Sequence, residues 1–422
     1  MNAGDTTWVL VCSAMVLLMT PGLAFFYGGL VREQSAINTI KMSFIALGVI
    51  AVEWALIGYS LAFAPGGDLI GGLAWIGLRD VGTAPSEYAE TVPHLAFMAF
   101  QMMFAVITPA LISGAVVERM RFKAYVLFIA LWSLLVYVPL AHWVWGAGGW
   151  IGELGALDFA GGTVVHVSAG VSALVAALIL GPRRTAIARD GGEPHNVPFV
   201  ILGASLLWFG WFGFNAGSAL AADGIAVTAV VTTMLGAAAA LTTWFAMDAA
   251  LGSRPSAVGA AIGAVVGLVA ITPAAGFVSP LSALAIGAAA AAVSRLAMRL
   301  IGRTQLDDTL DVFACHGLGG VTGALLTGVF ASTAVNPGGA DGLLAGGGWG
   351  LLGAQAVSVL AAAALAALGT TLILLVVRAL VQLRAPAAAE LAGLDASEHA
   401  EAAYNLQSIA LRHAAGQNPG VL

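Results

Sequence analysis

The sequence predicts an all-α polytopic membrane protein of 11 transmembrane helices, N-terminus outside and C-terminus inside, built as an inverted five-plus-five helix repeat with one extra helix. Three observations predict it. Of 422 residues 60% are hydrophobic and 9% charged, against roughly 25% charged in soluble proteins, and the mean hydropathy of +0.94 excludes a water-soluble domain. Apolar runs long enough to cross a bilayer, about 20 residues, recur from end to end, and over such lengths only a helix satisfies its own backbone. The 54 glycines supply the small residues that let membrane helices approach closely. Cys12 and Cys315 both lie in apolar runs, so neither a disulfide framework nor a metal cluster is expected, and no cofactor motif is present. A net charge of −6 speaks against nucleic acid.

The first run, 7–31, has no preceding basic residue and is too long for a signal-peptide core, so it reads as a retained span. The second, 38–64, carries Glu53, expected to be a capping or interhelical hydrogen-bond partner. The third, 94–117, sets Phe100 and Phe104 one helical turn apart on a single face, and the fourth, 124–147, ends in Trp145. The fifth, 160–180, holds His166, and the sixth, 197–219, ends near Ser218. The seventh, 225–250, has Asp248 close to Arg254. The eighth and ninth run over 256–275 and 281–301, the tenth, 312–333, holds His316, and the eleventh covers 351–382. A tail, 383–422, follows.

With the N-terminus outside, every basic residue except Arg79 falls on the inner side, from Arg32 and Lys41 through Arg119, Arg121, Lys123, Arg183, Arg184, Arg189, Arg254, Arg295, Arg299, Arg303, Arg378 and Arg384 to Arg412. The positive-inside rule fixes that orientation and makes the tail cytoplasmic. The outer loops hold Asp5, Asp68, Asp80, Glu87, Glu90, Glu153, Asp158, Asp223 and Asp341, a field that gathers cations.

Asp158-FAGGTVV-His166-VSA-Gly170 and Asp311-VFAC-His316-GLG-Gly320 share an Asp, a His and a Gly four residues later, although the Asp-to-His spacing differs. Two copies of a five-helix unit, one about 7–180 and one about 197–333, would enter the membrane upside down relative to each other, a common transporter plan. The eleventh helix stands outside that symmetry. His166 and His316 then approach the midplane from opposite sides, and at 1.5 Å per residue their depths leave ~10 Å between them in a core of ~30 Å. Neutral imidazoles along a pore pass a hydrogen-bonded chain without fixed charge. No carbonyl-filter string of the TVGYG type is present, so a continuous ion filter is not expected. A shallow outer cation site is the alternative, built from aromatic faces and a hydroxyl, with Phe100, Phe104, Trp145 and Ser218 as candidates. On composition alone an interfacial aromatic belt is the favoured reading of Trp145, and lipid or core packing accounts for the phenylalanines equally well.

These residues resemble the ammonium transporters, the Amt/MEP/Rh family, Amt branch. The string DFAGGTVVHVSAGVSALVAALILGPR resembles its fifth-span signature, and PGLAFFYGGLVR, FQMMFAVITPALISGA, WFGFNAGSA, DVFACHGLGGVTG and GLDASEHAEAAYN extend the likeness over nearly the whole chain. The resemblance implies a homotrimer in the cell membrane, each protomer with its own pore. It implies that Phe100, Trp145 and Ser218 bind ammonium on the outside, that Phe104 and Phe214 stack as a gate, and that His166 and His316 line the pore. Asp158 would support the site through backbone contacts and Trp211 would pack near the pore. A cytoplasmic PII signal protein is implied as regulator, and Tyr404 in the tail as a contact on the inner face. Two rival readings are an ammonium sensor signalling through its tail, disfavoured because about 40 tail residues, 383–422, hold no signalling domain, and a membrane enzyme using Asp158 and His166. The latter lacks a nucleophile or metal-ligand set.

Overall fold

The computed structural model describes residues 1–184 and 193–404; Arg189, Arg412, His413 and the end of the tail lie outside the described residues. Among the described residues ten helices are long and apolar enough to cross a membrane: α1 Ala3–Leu30, α2 Glu33–Phe63, α3 His94–Val116, α4 Phe122–Glu153, α5 Gly162–Leu180, α6 Val197–Ala219, α7 Gly224–Ala250, α9 Pro280–Ile301, α10 Phe313–Phe330 and α11 Gly350–Leu380. Between α7 and α9 lies a shorter apolar helix, α8 Ala257–Ile271. Its 15 residues rise about 22 Å, and the rest of the predicted eighth run, through residue 275, is turn. Two short helices, α12 Ala387–Ala392 and α13 Leu394–His399, lie in the described part of the tail. A small hairpin, β1 Pro85–Ser86 and β2 Ala89–Pro93, precedes α3.

The starts of these helices are written in their polar residues. Asn2 caps α1, Asn196 caps α6, Asp223 caps α7, Ser256 caps α8 and Ser279 caps α9, each accepting from free N–H groups of the first turn. α1 lies along α6, and α7 packs on both α8 and α9. Exposed Leu10, Leu17, Phe44, Leu56, Leu360, Leu368 and Leu372 give the outer wall the apolar surface that lipid or a neighbouring apolar surface requires. Wide π-helical turns interrupt α2 at Trp54–Gly58 and α4 at Ser133–Tyr137, and further ones open α5 and α10.

The loops after α1, α3, α5 and α9 and the tail meet on one face of the bundle. There Arg32 donates from Nε to Glu118 at 2.8 Å, Arg183 from Nη1 to the other Glu118 oxygen at 2.7 Å and from Nε to Asp307 at 2.9 Å. Burial alone would raise the Glu118 and Asp307 carboxyls, but Arg183, with Arg32 beside Glu118 and Arg119 beside Asp307, holds both below the ordinary carboxylate range. The tail is stitched onto this face. Glu390, fully buried, accepts from Arg384 at 2.6 Å and from the Arg184 backbone at 2.6 Å. Asp395 accepts the Ile37 and Asn38 N–H groups at 3.0 and 2.8 Å, and the Tyr404 hydroxyl meets Asn196 at 2.9 Å.

Asp248 pairs with Arg295 at 2.7 Å, because α9 runs beside α7 and brings that arginine across. Glu53 is half-buried; its Oε1 has no hydrogen-bond partner among the described residues, and the polar group facing its carboxyl across the helices is the Ser133 hydroxyl of α4.

Candidate functional site

The site forms where α5 and α10 begin. Asp158 is buried and caps α5 from within, its Oδ1 accepting from Gly161 and Gly162 at 2.9 and 2.6 Å and its Oδ2 from Thr163 and Val164 at 2.8 and 3.1 Å. In the second half the equivalent acid is Asp308, not Asp311: Asp308 is buried and its Oδ2 accepts the Phe313 N–H at 2.6 Å. The spacing then matches, since Asp308 and His316 are separated as Asp158 and His166 are. Asp311 falls where the first half has Gly161, and both adopt a left-handed backbone, φ 56° and 110°. Burial pushes the Asp308 carboxyl up to about 6, and burial with neighbouring Asp308 pushes Asp311 up to about 8.

The expected gap of ~10 Å between the histidines is closed, because the start of α5 packs directly on the start of α10. The Nδ1 atoms of His166 and His316 lie 3.2 Å apart and the rings 5.3 Å apart. Glycine permits this crossing. A Cβ on Gly170 would lie 2.1 Å from the Gly317 nitrogen, and one on Gly320 would lie 2.8 Å from the Gly162 oxygen. Both histidines sit in the wide π-helical turns, which re-aim side chains and recur at functional positions.

Above the pair stands an aromatic column. Trp211 stacks on His166 at 5.4 Å and is held by its Nε1–H donating to Thr272 at 2.8 Å. Phe214 lies 6.0 Å from His166 and 4.2 Å from Phe104. His166, His316, Trp211 and Phe214 line one narrow, mainly apolar cavity with Leu23 and Val265, and His316 also borders a second cavity beside Tyr27 and Cys315. The Nε2 of His166 is buried without a partner.

Across the Phe104–Phe214 contact, toward the face that carries the N-terminus, opens a cavity of about 320 Å³ lined by Phe104, Trp145, Ser218 and Gln101. Trp145 donates its Nε1–H to the Asp158 carbonyl at 2.9 Å. The Ser218 hydroxyl donates to the Phe214 carbonyl at 2.9 Å, which leaves its oxygen free to accept. The structure therefore brings Phe104, Trp145, Ser218, Phe214, His166, His316 and Trp211 into one line. Phe100 does not reach the cavity; it is buried behind Phe104, 5.0 Å ring to ring, against the position of Gly217. Gln101 was missed, although an amide between Phe100 and Phe104 in an apolar run was its visible signal. Phe63, Tyr88 and Phe97 also line the cavity and had no signal, since they come from three separate segments.

Residues 7–404 match the sequence profile of the Ammonium Transporter Family. The chain belongs to that family. An ammonium transporter of Bacillus subtilis strain 168 is 52% identical over 344 residues, 81% of this chain and 84% of the relative. Among solved structures, Mep2 of Saccharomyces cerevisiae superposes with a TM-score of 0.84 at 39% identity, covering 92% of this chain and 88% of that one. A sensor Amt protein superposes at 0.85 with 31% identity, covering 94% and 98%. These relatives are transport proteins or are related to them, and the enzyme reading of Asp158 and His166 finds no counterpart among them. In this ammonium transporter family member Asp158 is occupied as a helix cap with four N–H groups, which leaves it unavailable as a catalytic acid.

Proposed function

We propose that the protein carries ammonium across the cell membrane, with the N-terminal face outside, the tail face in the cytoplasm and α8 as the eleventh crossing. Ammonium is gathered in the 320 Å³ cavity, where the faces of Trp145 and Phe104 attract the cation and Ser218 accepts one of its hydrogen bonds. There it gives one proton to water filling the open cavity, leaving neutral ammonia. Neutral ammonia passes between Phe104 and Phe214 and descends past His166 and His316, free of the penalty that a bare charge meets in an apolar interior. Potassium has no proton to lose, so selectivity needs no size filter. Phe100 backs the site by fixing Phe104, Asp158 fixes the start of α5 and so aims His166, and Trp211 holds the face of that imidazole.

The single observation that carries this reading is the continuous line from the aromatic cavity to two imidazoles 3.2 Å apart. The matched Asp-His-Gly segments support an inverted pair of five-helix units with α11 as the addition. The basic, ion-paired tail face supports a cytoplasmic tail. We infer also that the chain works as a homotrimer and that a cytoplasmic PII signal protein docks on its tail face, both from family membership.

Uptake of ammonium by a transporter-deficient strain tests the function. The wild-type chain restores growth on limiting ammonium, and His166→Ala, still inserted and folded, does not; equal growth with both would reject the histidine route. Ammonium-dependent current through reconstituted protein separates electrogenic transport from neutral gas passage.

A further inference from the structure

Helix α11 stands outside the two matched segments, yet one of its side chains reaches the site. Gln355 is 1% exposed, and both ends of its amide are engaged. Its Oε1 accepts the Leu157 N–H at 2.7 Å, and its Nε2 donates to the Leu157 carbonyl at 2.9 Å and to the Ala324 carbonyl of α10 at 2.8 Å. One amide thus holds both backbone groups of Leu157, as a neighbouring strand would, and fixes that segment to α10. The close approach of α11 depends on Gly328, where a Cβ would lie 2.7 Å from the Leu352 Cα and 3.2 Å from the Gln355 Cγ.

Leu157 leads into Asp158, which acts at both ends. Its carboxylate caps α5, and its carbonyl accepts the Nε1–H of Trp145, a ring that lines the outer cavity, at 2.9 Å. On the far side the Phe159 N–H donates to the Pro273 carbonyl at 3.2 Å, so without Gln355 this stretch is anchored on one side only. The second half carries a matching device. Asp307 precedes Asp308 as Leu157 precedes Asp158, and the Asp307 carbonyl accepts from Nη2 of the fully buried Arg119 at 2.6 Å. In each half a buried side chain from another element grips the carbonyl just before the capping acid. Two unlike residue types in equivalent places point to position, not packing, as the shared requirement.

We propose that Gln355 is the positioning residue through which α11 sets the outer site: it fixes residues 157 and 158 against α10 and so holds the Asp158 carbonyl where the Trp145 indole needs it. The consequence for ammonium rests on the transport reading given above; the anchoring of the segment does not.

Gln355→Met keeps the length of the side chain and loses all three hydrogen bonds, and two measurements on the full-length protein test it. Hydrogen exchange in lipid nanodiscs, read by mass spectrometry, should quicken over residues 155–165 while α7 and α9 exchange as in wild type. Ammonium uptake into vesicles should show KM raised about tenfold, the scale of one hydrogen bond, with the maximal rate within about twofold of wild type. Trp145→Phe keeps a ring at the cavity without its tether to Asp158. Adding Gln355→Met to it should therefore raise KM no further, whereas a residue that only packs would multiply the two effects. Gln355→Asn, an amide one methylene too short to span both segments, should behave as Gln355→Met and takes its place if that variant does not insert. The proposal is overturned if exchange over 155–165 stays at the wild-type rate, if KM is unchanged in protein that takes up ammonium, or if the double variant shows the product of the single effects. Quickened exchange confined to that segment, in a chain whose wild type takes up no ammonium, would defeat the transport reading and leave the anchoring standing.

Discussion

Asp158 accepts four backbone N–H groups with one carboxylate, and nothing else in the first turn of α5 can satisfy them. Asp158→Ala strands those groups, each unsatisfied buried donor costing about 1–3 kcal/mol. Lower thermal stability and lost uptake together are the expected result, read by melting of the detergent-solubilised protein. Asp158→Asn keeps acceptor capacity with one oxygen and should fall between. At Phe104 and Phe214 the expectation differs, because the rings form the divide between the two cavities. Phe214→Ala removes a stacked pair worth about 0.5–1.5 kcal/mol beyond its burial, and we expect folded protein whose uptake no longer discriminates ammonium from methylammonium. Of these residues, the sequence made legible those with an unusual chemistry for their depth, namely the histidines, Trp145 and Ser218. It did not distinguish Asp308 from Asp311, since both are acids near one helix start and only the backbone shows which carboxylate turns inward.

The order and rough length of most of the helices were readable because each hydrophobic run must fill a bilayer and each break carries polar, Gly or Pro residues. The wide turns in α2, α4, α5 and α10 were not, since an extra residue in a turn leaves no trace in apolar spacing. That hidden geometry sets where α5 meets α10. Gly170→Ala places a methyl 2.1 Å from the Gly317 nitrogen, and backbone cannot yield as a side chain end can. We expect poor insertion or a displaced His316, with uptake abolished while a control such as Gly353→Ala, which has open space at that position, behaves as wild type. The same substitution at Gly320 should act likewise, through the Gly162 oxygen at 2.8 Å.

On the scale of the molecule, one face is held by buried ion pairs that join the loops after α1, α3, α5 and α9, and hydrogen bonds from Arg32 and Arg184 to Glu390 hold the tail against them. Glu118 and Asp307 have carboxyls held below their ordinary values of 4.5 and 3.8, so their contribution is present above those values and is lost as pH falls below them. Melting temperature of the solubilised protein should drop as pH is lowered from about 5 toward 3, a window set by the ordinary carboxylate range. Glu118→Gln should flatten that slope and lower stability at neutral pH, because Arg32 and Arg183 then lose a shared charge. The charge pattern along the sequence predicted that alternate loops share a face, and the structure groups them so. Which acid meets which arginine was beyond it, since Glu118, Asp307 and Glu390 come together from segments far apart in the chain.

Two imidazoles that share one Nδ1 contact cannot be identical at any instant. One ring must carry hydrogen on the shared side and the other must offer a lone pair, so if both are neutral their Nε2 atoms are opposite in kind, one bare and one hydrogen-bearing. The paired rings are thus a small two-way switch with a polarity, and moving one proton across 3.2 Å, with compensating transfers at the far nitrogens, reverses it. A solute that gives a hydrogen at one ring and takes one at the next would leave the pair inverted behind it, so successive crossings need a reset, and its rate sets a ceiling on turnover by such a relay.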